Sequence, residues 1–130
     1  MKAKVYWLGV VALACLIQSG CVATQVSPVD RRVTIAPDIT GSIVITDIKM
    51  AKPNSDGYVL QANVVNNLGS IVKLKYRVVW LDSAGIEVPS TNAYWADLSI
   101  SPRDIQGLRA VAPSQGAVDF RLHVKRDRVN

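Results

Sequence analysis

Few residues in this chain could do catalytic chemistry. The single histidine, His123, sits in the run Asp119-Phe120-Arg121-Leu122-His123-Val124-Lys125. Polar and apolar residues alternate there, so an extended backbone puts His123 on a solvent face with Asp119 and Arg121. A histidine base needs a nucleophile and an orienting acid. Asp119 is the only acid nearby and no nucleophile adjoins it, so an exposed surface role is expected. Asp97 and Asp104 are a pair to weigh for glycoside chemistry, which uses two facing carboxylates. The acids are few and lie mostly in turns, which argues against that use. One histidine offers no metal-ligand spacing. No glycine-rich phosphate loop and no Gly-x-Ser-x-Gly elbow occurs. No catalytic residue, metal or cofactor is expected.

Binding chemistry is better represented. In Ile71–Leu81 the even positions Val72, Leu74, Tyr76, Val78 and Trp80 are apolar or aromatic, and Lys73, Lys75 and Arg77 fill odd ones. That is a strand with one buried face and one cationic face. If the last strand lies beside it, Arg121 and Lys125 extend the stripe. Such a stripe could meet an acidic protein, anionic headgroups or peptidoglycan carboxylates. The expected role is a solvated face that also discourages edge aggregation, since long cationic side chains are common on wet strand faces. Tyr94 and Trp95 form a second candidate surface, with core packing the expected role for at least one of them.

The amino terminus indicates location. Met1–Lys4 is short and basic, and Val5–Ile17 is an uncharged apolar run of 13 residues. That is short for a membrane span and right for the hydrophobic part of a secretory signal. Ser19-Gly20-Cys21 follows, and small residues before a cysteine resemble the lipobox of bacterial lipoproteins. Gln18 departs from the leucine usual in that pattern. Cys15 is a rival, but Leu13 stands where a small residue is preferred. The resemblance implies a signal peptide over residues 1–20, cleavage before Cys21, and acylation of its sulfur and amine, palmitate included. Val22 and Ala23, rather than aspartate, then imply the periplasmic face of the outer membrane. Each buried methylene contributes about 0.8 kcal/mol, so two or three acyl chains hold a protein on a bilayer. No thiol would remain for a disulfide or a metal.

Cleavage there leaves 110 residues, enough for one core, with 13 basic and 10 acidic side chains. A surplus of +3 gives little support to nucleic-acid binding. Residues 21–41, with Pro28 and Pro37 and little periodicity, read as a lipid-anchored linker holding at most a short edge strand at Arg32–Ala36.

The region 42–130 reads as the folded domain. Strands are expected at Ser42–Lys52, Tyr58–Asn66, Ile71–Leu81, Ile86–Val88, Ile105–Ala112 and Ala117–Lys125. Turns lie at Pro53–Gly57, Asn66–Gly69, Asp82–Gly85, Pro102–Asp104 and Pro113–Gly116. Thr91–Ile100 is ambiguous: Tyr94, Trp95 and Leu98 have helical spacing, yet Trp95–Ser101 reads equally as a strand. Turns every eight to twelve residues between alternating runs point to an all-β, antiparallel, Ig-like β-sandwich of about seven strands. Tyr76, Trp80, Trp95 and Phe120 are its expected aromatic core.

Tyr76-Arg77-Val78-Val79-Trp80-Leu81-Asp82-Ser83-Ala84-Gly85-Ile86-Glu87-Val88 resembles the central signature of the YcfL-like envelope lipoproteins. Trp95, Ala112-Pro113 and Phe120-Arg121-Leu122 also fit, as does the leader. The resemblance covers most of residues 42–125. It implies a small periplasmic sandwich and carries no activity. The expected function is a non-enzymatic outer-membrane lipoprotein acting as a protein-binding subunit of an envelope assembly. A peptidoglycan- or glycan-binding module is the alternative.

Overall fold

The computed structural model describes residues 30–54, 56–90 and 94–128. Seven strands form two sheets. They are β1 (Val33–Ile35), β2 (Ile43–Asn54), β3 (Gly57–Asn66), β4 (Val72–Leu81), β5 (Ala96–Ile100), β6 (Ile105–Val111) and β7 (Asp119–Arg126). One sheet has the order β1-β7-β4-β5 and the other β2-β3-β6. All pairings are antiparallel except β1 with β7. No helix among the described residues is long and apolar enough to cross a membrane.

The alternating runs become strands because each has one face to bury. Leu60, Ala62 and Val64 of β3 meet Leu74, Val78 and Trp80 of β4 and Phe120, Leu122 and Val124 of β7 in one core. Trp80 and Phe120 pack edge to face, centroids 6.4 Å apart, a favoured aromatic geometry. Of the four expected core aromatics these two are buried and Tyr76 is half-buried. Trp95 is not core: it lies 38% exposed, just before β5 begins at Ala96. Val118, expected inside, is 36% exposed, and Ala117 is buried instead. β7 begins only at Asp119, and Val118 N–H donates to the C=O of Leu81, the residue paired with Asp119, so the strand's alternation does not reach back to Val118.

In β2 a simple alternation fails. Val44, Ile48 and Met50 are expected on one face and Ile43 and Ile45 on the other. Instead Ile43 is buried and Val44 is 39% exposed, while Ile45, Ile48 and Met50 all pack against the core. The cause is a bulge. The register with β3 shifts between Thr46 and Lys49, and Asp47 takes φ 52°. One extra residue reverses the parity of everything after it.

Two further expectations need correction. Ile86–Val88 is not a full strand. Only Glu87 bridges Leu81, and Val88 N–H donates to Trp80 C=O, because the Asp82–Gly85 turn is short and Pro89 follows. The turn itself forms as expected: Gly85 takes φ 78°, and the Asp82 carboxylate accepts from the N–H groups of Ala84 and Ile86. The second correction concerns residues 30–41, which belong to the folded unit rather than to a tether. β1 pairs with β7, and Ile39, in the 3-10 turn Pro37–Ile39, is fully buried in the core. Ile39→Val should therefore lower the unfolding free energy by about 1 kcal/mol, read as a shift in the urea midpoint, whereas a residue in a free linker would be silent.

Candidate functional site

The solvent face of the four-stranded sheet collects the cationic residues. β4 and β7 are neighbours, as the extended stripe requires. Lys75 lies opposite Lys125, Arg77 opposite His123 and Val79 opposite Arg121. On the other flank Lys73 faces Ser99 and Lys75 faces Asp97 of β5.

Most of this charge is neutralised locally. Lys75 Nζ lies 2.6 Å from Asp97 and 3.7 Å from Asp127. These partners raise the Lys75 pKa, the hydrogen bond to Asp97 most of all. Arg77 reaches Glu87 at 3.4 Å and Arg121 reaches Asp119 at 3.1 Å. Arg32 clamps Asp30 through both carboxylate oxygens and lies 4.5 Å over the Phe120 ring. That guanidinium holds the Asp30 carboxyl below its ordinary 3.8. Exposed pairs of this kind contribute little to stability, because solvent screens them. Their larger effect is to turn a basic stripe into a mosaic of both signs. Lys73 and Lys125 have no carboxylate partner among the described residues; Lys125 Nζ instead sits 4.1 Å over the Trp95 ring.

Tyr94 and Trp95 stand at the end of this face. Tyr94 is 79% exposed. Together they flank a cleft of about 390 Å³ with Tyr76, Val78 and Trp80 of β4 and Arg109 of β6. Among the described residues Arg109 is the only charged residue lining it. The cleft exists because β5 covers β4 only as far as Tyr76, opposite Ala96. Beyond that point β5 no longer pairs with the edge of β4, while Val78 and Trp80 stay buried in the core.

The remaining residues are dispersed. Asp119 is engaged by Arg121 and Arg32 and accepts from Phe120 N–H, so it does not orient His123. His123 has Thr34 and Arg77 as strand neighbours. Asp97 binds Lys75, while Asp104 accepts from Ile105 N–H, so these two carboxylates serve separate local roles. No group of three metal-ligating side chains occurs among the described residues. Cys21, the expected lipidation site, lies outside the described residues. Sequence reasoning missed the Asp30–Arg32 clamp and the Lys125–Trp95 contact. The i, i+2 spacing of Asp30 and Arg32 was a readable signal for the first; nothing local marked the second.

The family model for "Protein of unknown function (DUF1425)" matches residues 30–126. The chain belongs to the DUF1425 family. Its match takes in β1 and the 3-10 turn Pro37–Ile39 together with the other strands. Two crystal structures share the DUF1425 fold seen here. One is a DUF1425 family member from Shewanella sp. PV-4, 17% identical, with 68% of this chain and 81% of that chain covered and a TM-score of 0.61. The other is Campylobacter jejuni cj0090, 23% identical, with 74% and 98% covered and the same TM-score of 0.61. At such identities the likeness establishes the fold alone. No curated protein matches the chain in sequence.

Proposed function

We propose that this DUF1425 protein is a non-enzymatic, YcfL-like lipoprotein. It is held at the periplasmic face of the outer membrane by acylated Cys21, and its sandwich binds another envelope protein. The leader and the Tyr76–Val88 signature support the anchor and the subgroup. The observation that carries the binding role is the Tyr94–Trp95 cleft: two exposed aromatic side chains beside the stretch of the β4 edge that β5 leaves unpaired. Aromatic anchors over a desolvated pocket dominate protein interfaces, and surrounding charges mainly set orientation. The mosaic of Lys75–Asp97, Arg77–Glu87 and Arg121–Asp119 suits that orienting role better than attraction of a polyanion.

A photo-crosslinker at Tyr94, with the full-length protein extracted from envelopes in mild detergent, should trap a polypeptide other than this chain. Tyr94→Ala with Trp95→Ala should weaken that complex by about 30-fold or more, the effect of losing one interface hot spot. No trapped partner would sink the reading.

A glycan-binding reading draws on Lys73 and Lys125, whose ammonium groups have no carboxylate partner among the described residues. It requires the protein to pellet with sacculi at low salt and Lys73→Glu with Lys75→Glu to abolish pelleting. Pelleting unaffected by those changes removes the stripe from consideration.

A further inference from the structure

We infer that two copies of this chain pair edge to edge through β6. The sandwich has four sheet edges, β1 and β5 on one sheet, β2 and β6 on the other. Exposed edges invite pairing unless something blunts them. β1 has only 3 residues and β5 only 5, with Asp97 among them. β2 carries the Asp47 bulge, Lys49, Lys52 and Pro53. β6 has 7 residues in unbroken register with β3 and contains no proline.

The backbone of β6 is satisfied on one side. Asn66 N–H donates to Asp104 C=O and Ala112 N–H donates to Tyr58 C=O. By the alternation of an antiparallel ladder, even-numbered residues of β6 face β3, and Gly107, Arg109 and Val111 turn both polar groups outward. Ile105 turns outward too, with its N–H held by the Asp104 carboxylate at 2.8 Å. Its C=O remains available.

Side chains fit one register. A two-fold axis at Leu108 brings Ile105 opposite Val111 of the second copy and Gly107 opposite its Arg109. Ile105 is 56% and Val111 50% exposed, so each cross-strand pair covers apolar surface. Gly107 leaves a hollow of about 280 Å³ walled by Asp47, Gln61 and Asn63. Only Asn63 Oδ1, 3.8 Å away, approaches the space a side chain at 107 would take. Arg109 of the second copy lies across that hollow toward the Asp47 carboxylate. Asp47 accepts from Asn63 Nδ2 at 3.0 Å and has no ion-pair partner among the described residues. Moving the axis to Arg109 would instead set two guanidinium groups face to face, a destabilising cross-strand pair. The contact is isologous, so it closes at two copies. It rests on the β6 edge rather than on the partner-binding reading, although Arg109 and Val111 also line the Tyr94–Trp95 cleft.

Sedimentation of the full-length protein in mild detergent tests the pairing. Wild type should sediment with a protein mass of two chains. Gly107→Pro removes an outward N–H without touching the β3 ladder and should halve that mass. Val111→Lys and Ile105→Glu should each do the same, and the double variant should restore the pair, because Lys at 111 then faces Glu at 105 of the other copy. Circular dichroism checks that each variant keeps the sheet signal. A wild type of one chain, or a double variant that stays single, overturns the proposal.

Discussion

Trp80→Ala should cost the folded state about 3–5 kcal/mol, the range for removing a large buried aromatic. Trp80 is 2% exposed and packs on Phe120, itself fully buried. It lies in β4, which pairs with both β5 and β7. Its removal leaves a cavity at the seam of the two sheets, lined by strands that cannot all move inward without breaking ladder hydrogen bonds. Domains of this size have about 5–15 kcal/mol of total stability, so the variant should lose a large share of it. Urea unfolding followed by circular dichroism is the check. A midpoint shift equivalent to less than about 1 kcal/mol would show that the seam collapses easily. Trp95→Ala is the contrast. Its ring lies on the surface, so its loss should move the midpoint little while affecting partner capture.

Asn66→Asp should be the second most damaging change, costing about 3 kcal/mol at neutral pH, because it removes donors from a buried site and adds a charge. Asn66 is the only buried polar residue among those described, at 1% exposure. Its Nδ2 lies 2.8 Å from Ser70 C=O, 3.2 Å from Ile100 C=O and 3.0 Å from Ser101 C=O. Its Oδ1 accepts from Leu68 N–H at 2.9 Å. One amide therefore ties the turn after β3 to the turn after β5, joining the two sheets at that end. A carboxylate of the same shape would present oxygen to three carbonyl oxygens. Its loss should ease at low pH, where the acid is protonated and can donate once. Asn67→Asp, one residue on and exposed, should change stability by no more than about 0.5 kcal/mol. Equal effects at 66 and 67 in urea titrations would refute the bracing role.

These two residues show different degrees of legibility. Trp80 could be read as core because alternation in β4 puts it in phase with Val72, Leu74 and Val78, and alternation is a local property of the backbone. Asn66 reads only as turn chemistry. Two of its three acceptors lie 34 and 35 residues away, and no local pattern encodes that approach. The same division holds for the cationic face. Lys73, Lys75 and Arg77 were identifiable as one solvent-facing row, but the neutralisation of Lys75 by Asp97 and of Arg77 by Glu87 depends on which strands and turns become neighbours.

Taken alone, the sequence determined the class of fold, most strand positions and the row of charges on β4, since period-2 patterning and turn residues act over a few positions. Tertiary structure decided the rest. The bulge at Asp47 reversed the inward face of β2, because one unpaired residue shifts the register of all that follow. The pairing of β1 with β7 and the burial of Ile39 drew residues 30–41 into the domain, because β7 offered a free edge and the core had room for one more side chain. The short reach of β5 opened the cleft beside Trp95, and the position of β6 at the end of its sheet left the outer side of Gly107, Arg109 and Val111 without a strand partner among the described residues. Each is a matter of which segment lies next to which, settled by packing across the sandwich and invisible to any window of neighbouring residues.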